Sequence, residues 1–164
     1  FSWSPKRADS ALVWKTINII DWSGKSVLDV GASYGYFAVQ ASRLGACVSG
    51  FEPRDSAREV AIKVNDHVEM QDVVYSKRDP GGKFDAILYL SVHHQMDPTY
   101  NKLAQTLSEY KKRCKDLFVE LIMPPTGKFG GGRTEAQIDA IVGGKPLLRY
   151  KHLVRGYRKI YHII

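Results

Sequence analysis

SVLDVGASYGYFAVQ, residues 26–40, opens as a buried strand and closes as a helix. Val27, Leu28 and Val30 form a short apolar run, which predicts a strand over Ser26–Val30. Gly31–Gly35 is a tight loop of small residues. Tyr36–Leu44 then takes helical spacing, with Phe37, Ala41 and Leu44 on one side. A strand that ends in a glycine loop and feeds a helix is expected to place free backbone N–H groups beside a cavity. The glycines of GASYG fall at Gly31 and Gly35, so the dinucleotide pattern GxGxxG is not met. An acid, Asp29, stands two positions before the first glycine.

The next strand adds a second feature. Cys47–Phe51 is apolar, and Glu52 follows at its carboxyl end, where nucleotide-binding folds put an acid for ribose hydroxyls. The DxGxxxGxF pattern of Asp29–Phe37 resembles motif I of class I S-adenosylmethionine (SAM)-dependent methyltransferases, and CVSGFEP resembles the second motif of that family. The resemblance implies SAM as cofactor. It also implies a binding set: Asp29, Gly31, Ala32, Ser33, Tyr34, Gly35 and Phe37 in the loop, then Glu52, Pro53 and Arg54 after the second strand. Gln71, Asp72 and Val73 in the third strand and Leu90 and Ser91 after the fourth complete it. In the family an acid near the end of the third strand accepts from the adenine amino group; Asp72 is the candidate and Asp66 its alternative.

Outward from these motifs the chain alternates helix and strand. Lys6–Ile20 reads as a helix with Ala11, Val13, Trp14, Ile17 and Ile20 on its apolar face, and Phe1–Pro5 as an irregular cover for a cleft. Asp55–Asn65 is expected to be a helix capped by Asp55, with Val60, Ala61 and Val64 inward. His67–Tyr75 is a weaker strand, Ser76–Lys83 a loop with Pro80, Gly81 and Gly82, and Phe84–Leu90 a buried strand. KFDAILYLSVHHQ resembles motif IV of the same family. An amphipathic helix over Pro98–Arg113, with Leu103, Leu107 and Tyr110 inward, leads to an apolar strand at Asp116–Met123. Pro124–Gly132 reads as a mobile loop at the cleft end. A short helix over Thr134–Val142, capped by Thr134, precedes strands Leu147–Val154 and Tyr157–Ile164 around the turn signal Arg155-Gly156. The expected fold is α/β: a seven-stranded, mostly parallel sheet with helices on both faces and a C-terminal antiparallel hairpin. Residues 1–24 form a helical lead-in and 25–164 the core of a single domain.

At 164 residues, 44% hydrophobic and 25% charged, the composition is that of a globular domain. No apolar run approaches the ~20 residues that span a bilayer. Cys47 and Cys114 have no metal-type spacing and read as buried or partly buried free thiols, which points to a cytoplasmic setting. The start at Phe1 fits part of a longer chain. A net charge of +7 favours anionic partners, nucleic acid among them. Lys145, Arg149, Lys151, Arg155, Arg158 and Lys159 crowd the last twenty positions with no acid among them, a candidate basic face for such a partner.

Methyl transfer from a sulfonium is an in-line displacement, so alignment carries much of the acceleration and a base helps an oxygen or nitrogen nucleophile. His93 and His94, just past the fourth strand, are the candidate catalytic residues. His67, His152 and His162 are assigned no chemistry and form no metal motif. The Lys-Asp-Lys-Glu tetrad of RNA ribose 2′-O-methyltransferases is not met. Lys6 stands where its first lysine would be, but Tyr89-Leu90-Ser91 lacks the aspartate and Glu120 occupies the place of a lysine. The paired histidines are more similar to enzymes acting on small molecules or tRNA wobble uridine. The function expected is methyl transfer from SAM to an unidentified acceptor, tRNA or other RNA or an anionic sugar or phosphate. Its rivals are an NAD(P)-dependent oxidoreductase and a non-catalytic SAM-binding module of a larger protein.

Overall fold

The computed structural model of the chain describes residues 8–124, 129–152 and 156–164. Its elements are α1 (Ala8–Ile17), β1 (Ser26–Val30), α2 (Tyr36–Ser42), β2 (Cys47–Phe51), α3 (Asp55–His67), β3 (Val73–Ser76) and β4 (Phe84–Leu90). There follow α4 (His93–Met96), α5 (Leu103–Lys111), β5 (Cys114–Ile122), α6 (Glu135–Val142), β6 (Lys145–His152) and β7 (Gly156–Ile163). The strands make one seven-stranded sheet in the order β3-β2-β1-β4-β5-β7-β6. Strands β1 to β5 pair in parallel, whereas β7 runs antiparallel to both β5 and β6. The chain builds outward from β1 to β3 and then returns to β4 on the other side of β1. That reversal is the switch point at which open α/β sheets hold ligands. The expected sheet and closing hairpin are both present.

Two-residue periodicity sorts the strands between two cores. Leu28, Ile87, Tyr89, Leu117, Val119 and Leu121 join Leu103, Leu107 and Tyr110 of α5 and Ile138 and Val142 of α6. Val27, Ala86, Leu88, Phe118 and Ile160 face the other way, toward Val13 and Ile17 of α1 and Ala38 and Ala41 of α2. A ten-residue helix is marginal alone, but burying Val13 and Ile17 contributes about 1.5–3 kcal/mol each and holds α1 on the sheet. By the same alternation, Asp29, Glu120 and Arg158 fall on the α1/α2 face, in step with Val27, Phe118 and Ile160.

Several boundaries differ from expectation. α3 runs two residues further, to His67, and β3 is only Val73–Ser76. Arg54 is the N-cap of α3, and Asp55 is its first helical residue, paired with Arg58 and Lys77. Ala11, Leu44 and Val60 are exposed, because α1, α2 and α3 turn Val13, Ala38 and Ala57 inward instead. The Thr134 cap is present as a full capping box with Gln137. Cys47 is exposed and Cys114 half-buried. Expectations for Phe1–Pro5, Lys6, residues 125–128 and Arg155 lie outside the described residues.

Tyr75 wedges under the glycine loop. A Cβ at Gly50 would meet its ring at 2.4 Å, and one at Gly35, where φ is +81°, would meet its hydroxyl at 2.2 Å. Among the described residues the buried hydroxyl has no hydrogen-bond partner. Gly35→Ala is therefore expected to cost about 1–3 kcal/mol in urea unfolding. Tyr75→Phe removes an unpaired group and leaves stability unchanged or higher. The two are coupled: Tyr75→Phe recovers part of the Gly35→Ala loss, and strict additivity would refute the wedge.

Candidate functional site

A cleft of about 560 Å³ opens at the carboxyl ends of β1, β2, β4 and β5, bounded by α1 and the β6–β7 hairpin. That is within the ~300–1,000 Å³ of small-molecule sites. Of the residues selected from sequence, it gathers Asp29, Gly31, Ala32, Ser33, Phe37, Glu52, Pro53, Arg54, Leu90, Ser91 and His94. Tyr34 lies on the surface, and Gly35 sits beneath the loop against Tyr75. Gln71 and Asp72 do not reach the cleft. They are exposed at the amino end of β3, opposite the cleft, and Val73 is buried in the core. The Asp72 carbonyl accepts from Val48 N–H at 2.7 Å. The alternative, Asp66, is an exposed residue in the last turn of α3.

The loop amides are not the free donors expected. Gly31 and Ala32 N–H both donate to the Phe51 carbonyl, at 2.8 and 3.0 Å, and Gly35 N–H to the Ala32 carbonyl. Ser33 N–H donates to Glu52 Oε2 at 2.9 Å. This loop binds itself to the end of β2 and leaves side chains to meet a ligand. Ser33 and Ser91 both sit at positive φ, 53° and 57°, although neither is glycine. Backbone held in that region clusters at functional sites.

Glu52 is 2% exposed. Besides Ser33 N–H it accepts from Arg54 N–H and Nε, each at 2.9 Å, and from Arg54 Nη2 at 3.2 Å. Burial works against its charge, but the bonds from Arg54, and then from Ser33, hold the carboxyl below its ordinary range. Four donors use all four lone-pair positions of a carboxylate. The Arg54 side chain is 57% exposed, so it is free to leave two of them to another donor.

Asp29 is buried, and among the described residues no such cation pairs with it. Burial, opposed by a bond from the Ala38 backbone and reinforced by the charge of Glu52, raises its pKa from 3.8 to about 7. Among the described residues its buried Oδ2 has no hydrogen-bond partner.

The two histidines separate. His94 lines the cleft, with its ring 5.3 Å from that of Phe129. His93 is 1% exposed and turns into the opposite core, where Nδ1 is 2.8 Å from the Tyr89 hydroxyl and the ring packs edge-on to Tyr100. Burial, partly offset by Asp97, pushes its pKa down. The expected catalytic role therefore does not extend to His93, which is a packed core group.

At the far end of the cleft stands a cluster the sequence reading passed over. Glu120 is 3% exposed and accepts from Ser91 Oγ and the Tyr150 hydroxyl. Arg158 Nη1 lies 3.3 Å from Glu120 Oε2 and also donates to Ser91 Oγ. His152 lines the cleft beside them, its Nε2 3.4 Å from Asp9 Oδ2. The available signal was an acid inside the apolar run FVELIM. The expected basic face is correspondingly depleted. Arg158 is turned inward, Arg149 pairs with Glu135, and Lys159 pairs with Asp139 and Glu135.

No protein-family profile matches the chain, and no curated protein matches it in sequence. Solved structures do match. Magnesium protoporphyrin IX methyltransferase from Synechocystis PCC 6803 with bound SAM superposes at a TM-score of 0.73 with 19% identity, over 96% of this chain and 77% of that one. N-methyltransferase NodS from Bradyrhizobium japonicum WM9 gives 0.73 at 10% identity, over 99% and 97%. The bifunctional kinase-methyltransferase WbdD gives 0.77 at 15% identity, over 97% of this chain and 39% of that one. Sheet order, closing hairpin and these superpositions agree: the chain has the class I SAM-dependent methyltransferase fold.

Proposed function

We propose that the chain is a SAM-dependent methyltransferase acting on an oxygen or nitrogen nucleophile. The observation that carries the reading is Glu52, a buried acid at the carboxyl end of β2 that opens on a ligand-sized cleft. The residues present fit the cofactor. Glu52 would hold the ribose hydroxyls in place of the exposed Arg54 side chain, and Asp29, whose Oδ2 has no partner among the described residues, would hold the amino group of the methionine portion. When bound, SAM supplies an electrophilic methyl group on a sulfonium. Phe37, Leu90 and Val92 exclude water from the middle of the cleft, and His94 takes the proton of the acceptor nucleophile. Pairing of Arg149 and Lys159 with acids favours a small acceptor over a nucleic-acid backbone.

Calorimetry is expected to show binding of SAM and S-adenosylhomocysteine but not of NADH; the reverse pattern would overturn the reading. Glu52→Ala weakens S-adenosylhomocysteine by about tenfold or more. It also lowers the unliganded melting temperature, because Ser33 N–H loses its acceptor. Arg54→Ala leaves the affinity equal or higher, and a tenfold loss in that variant would show that Arg54 holds the ligand instead. With an acceptor found by a product-coupled screen, His94→Asn lowers turnover by ~10²–10⁴-fold at unchanged cofactor affinity, while His93→Asn acts through stability.

Asp29 gives a pH signature. A carboxyl whose folded pKa is raised to about 7 favours the protonated fold, so stability is full below about 4 and is lost as pH rises to about 7. The loss is on the order of 4 kcal/mol. Melting temperatures of the parent protein are therefore expected to fall relative to Asp29→Asn across that window. Parallel curves would show that Asp29 ionises normally.

A further inference from the structure

Arg158 is 4% exposed, lines the cleft, and is only partly bonded. Its Nη1 serves Ser91 and Glu120. Among the described residues its buried Nε has no hydrogen-bond partner, and the contacts of the side chain with Ser91 and Glu120 both run through Nη1 rather than Nη2. Nε–H and the adjacent Nη2–H form the side-on edge of a guanidinium, two parallel donors that match the two oxygens of a carboxylate or phosphate. Glu120 neutralises the cation but meets it at Nη1, and so leaves that edge uncovered. A purely structural pair would gain nothing from an uncovered edge, because buried ion pairs stabilise only when their remaining donors are satisfied.

We propose that this edge is an oxyanion subsite for the methyl acceptor, which carries a carboxylate or phosphate group that docks side-on against Nε and Nη2 of Arg158. The inference rests on the methyltransferase reading of the cleft. In the sheet, β7 is separated from β2 by β1, β4 and β5. Four strand spacings amount to about 19 Å, which sets the base of Arg158 far from the ribose end marked by Glu52. Ser91 and Glu120 then fix the guanidinium, and the acceptor is oriented by a bidentate contact before its nucleophile meets His94, which lines the same cleft.

The test is a titration of the full chain with inorganic phosphate and, separately, with acetate, in the presence and absence of saturating S-adenosylhomocysteine. The Arg158 Nε–H resonance is followed by NMR and assigned by its loss in Arg158→Lys. The expected result is a saturable shift of that resonance in the cofactor-loaded protein. The anion that acts at lower concentration tells phosphate from carboxylate. In Arg158→Lys, S-adenosylhomocysteine affinity stays within about twofold, while anion protection against thermal unfolding weakens by about tenfold or more. A resonance unmoved by either anion overturns the proposal. So does a tenfold loss of S-adenosylhomocysteine affinity in Arg158→Lys, which would give the edge to the cofactor's own carboxylate. Failure of S-adenosylhomocysteine to bind the parent protein would instead remove the methyltransferase reading and, with it, the acceptor role. The parent-protein titration decides the matter even where a variant folds poorly.

Discussion

A carboxylate buried beside a sheet must be paired or must take up a proton, and three of them crowd the cleft. Glu52, Asp29 and Glu120 are each 2–3% exposed, and each meets the constraint differently. Glu52 draws an amide from the loop after β1 and a side chain from its own strand end. Glu120 takes a guanidinium across from β7. Asp29 has no cation among the described residues, and burial raises its pKa to about 7. Because unpaired buried charge costs several kcal/mol, these three solutions fix which segments must meet at the switch point. The loop, the end of β2 and the hairpin are tied to one another through acids rather than through apolar contact alone.

The first half of the chain was largely legible as sequence. β1 and β2 are short apolar runs followed by glycine or acid, and 3.6-residue spacing places Val13 and Ile17 of α1 and Ala61 of α3 on buried faces. Glu52 could be placed because it follows directly on a strand end. Asp72 could not. Its position depends on where α3 stops, and His67–Met70 has no breaker to mark the boundary; β3 starts six residues after the expected His67, which puts Asp72 at the opposite end of the strand.

The hairpin was harder to read for a different reason. A count of lysines and arginines near residue 150 ignores the two-residue alternation of strands. In β7, Arg158 enters the α1/α2 face and Lys159 the opposite one, where the acids of α6 await it. Those acids are distant in sequence, so a locally unopposed charge run is neutralised in space. His93 and His94 show the same limit: adjacent positions on a short turn of helix send one ring to the core and the other to the cleft.

The placement of Arg158 bears on how the molecule is made. The bond it shares with Ser91 spans 67 positions, and β7 is the seventh of the seven strands to leave the ribosome. The cation that faces Glu120 of β5 thus comes from β7, and pairing of β1 to β5 alone does not supply it. Antiparallel pairing of β7 with β5 joins residues distant in sequence, the kind of contact that slows folding. Completion of the cleft and closure of the β5 edge are one step: the strand that delivers the guanidinium also covers the exposed side of β5.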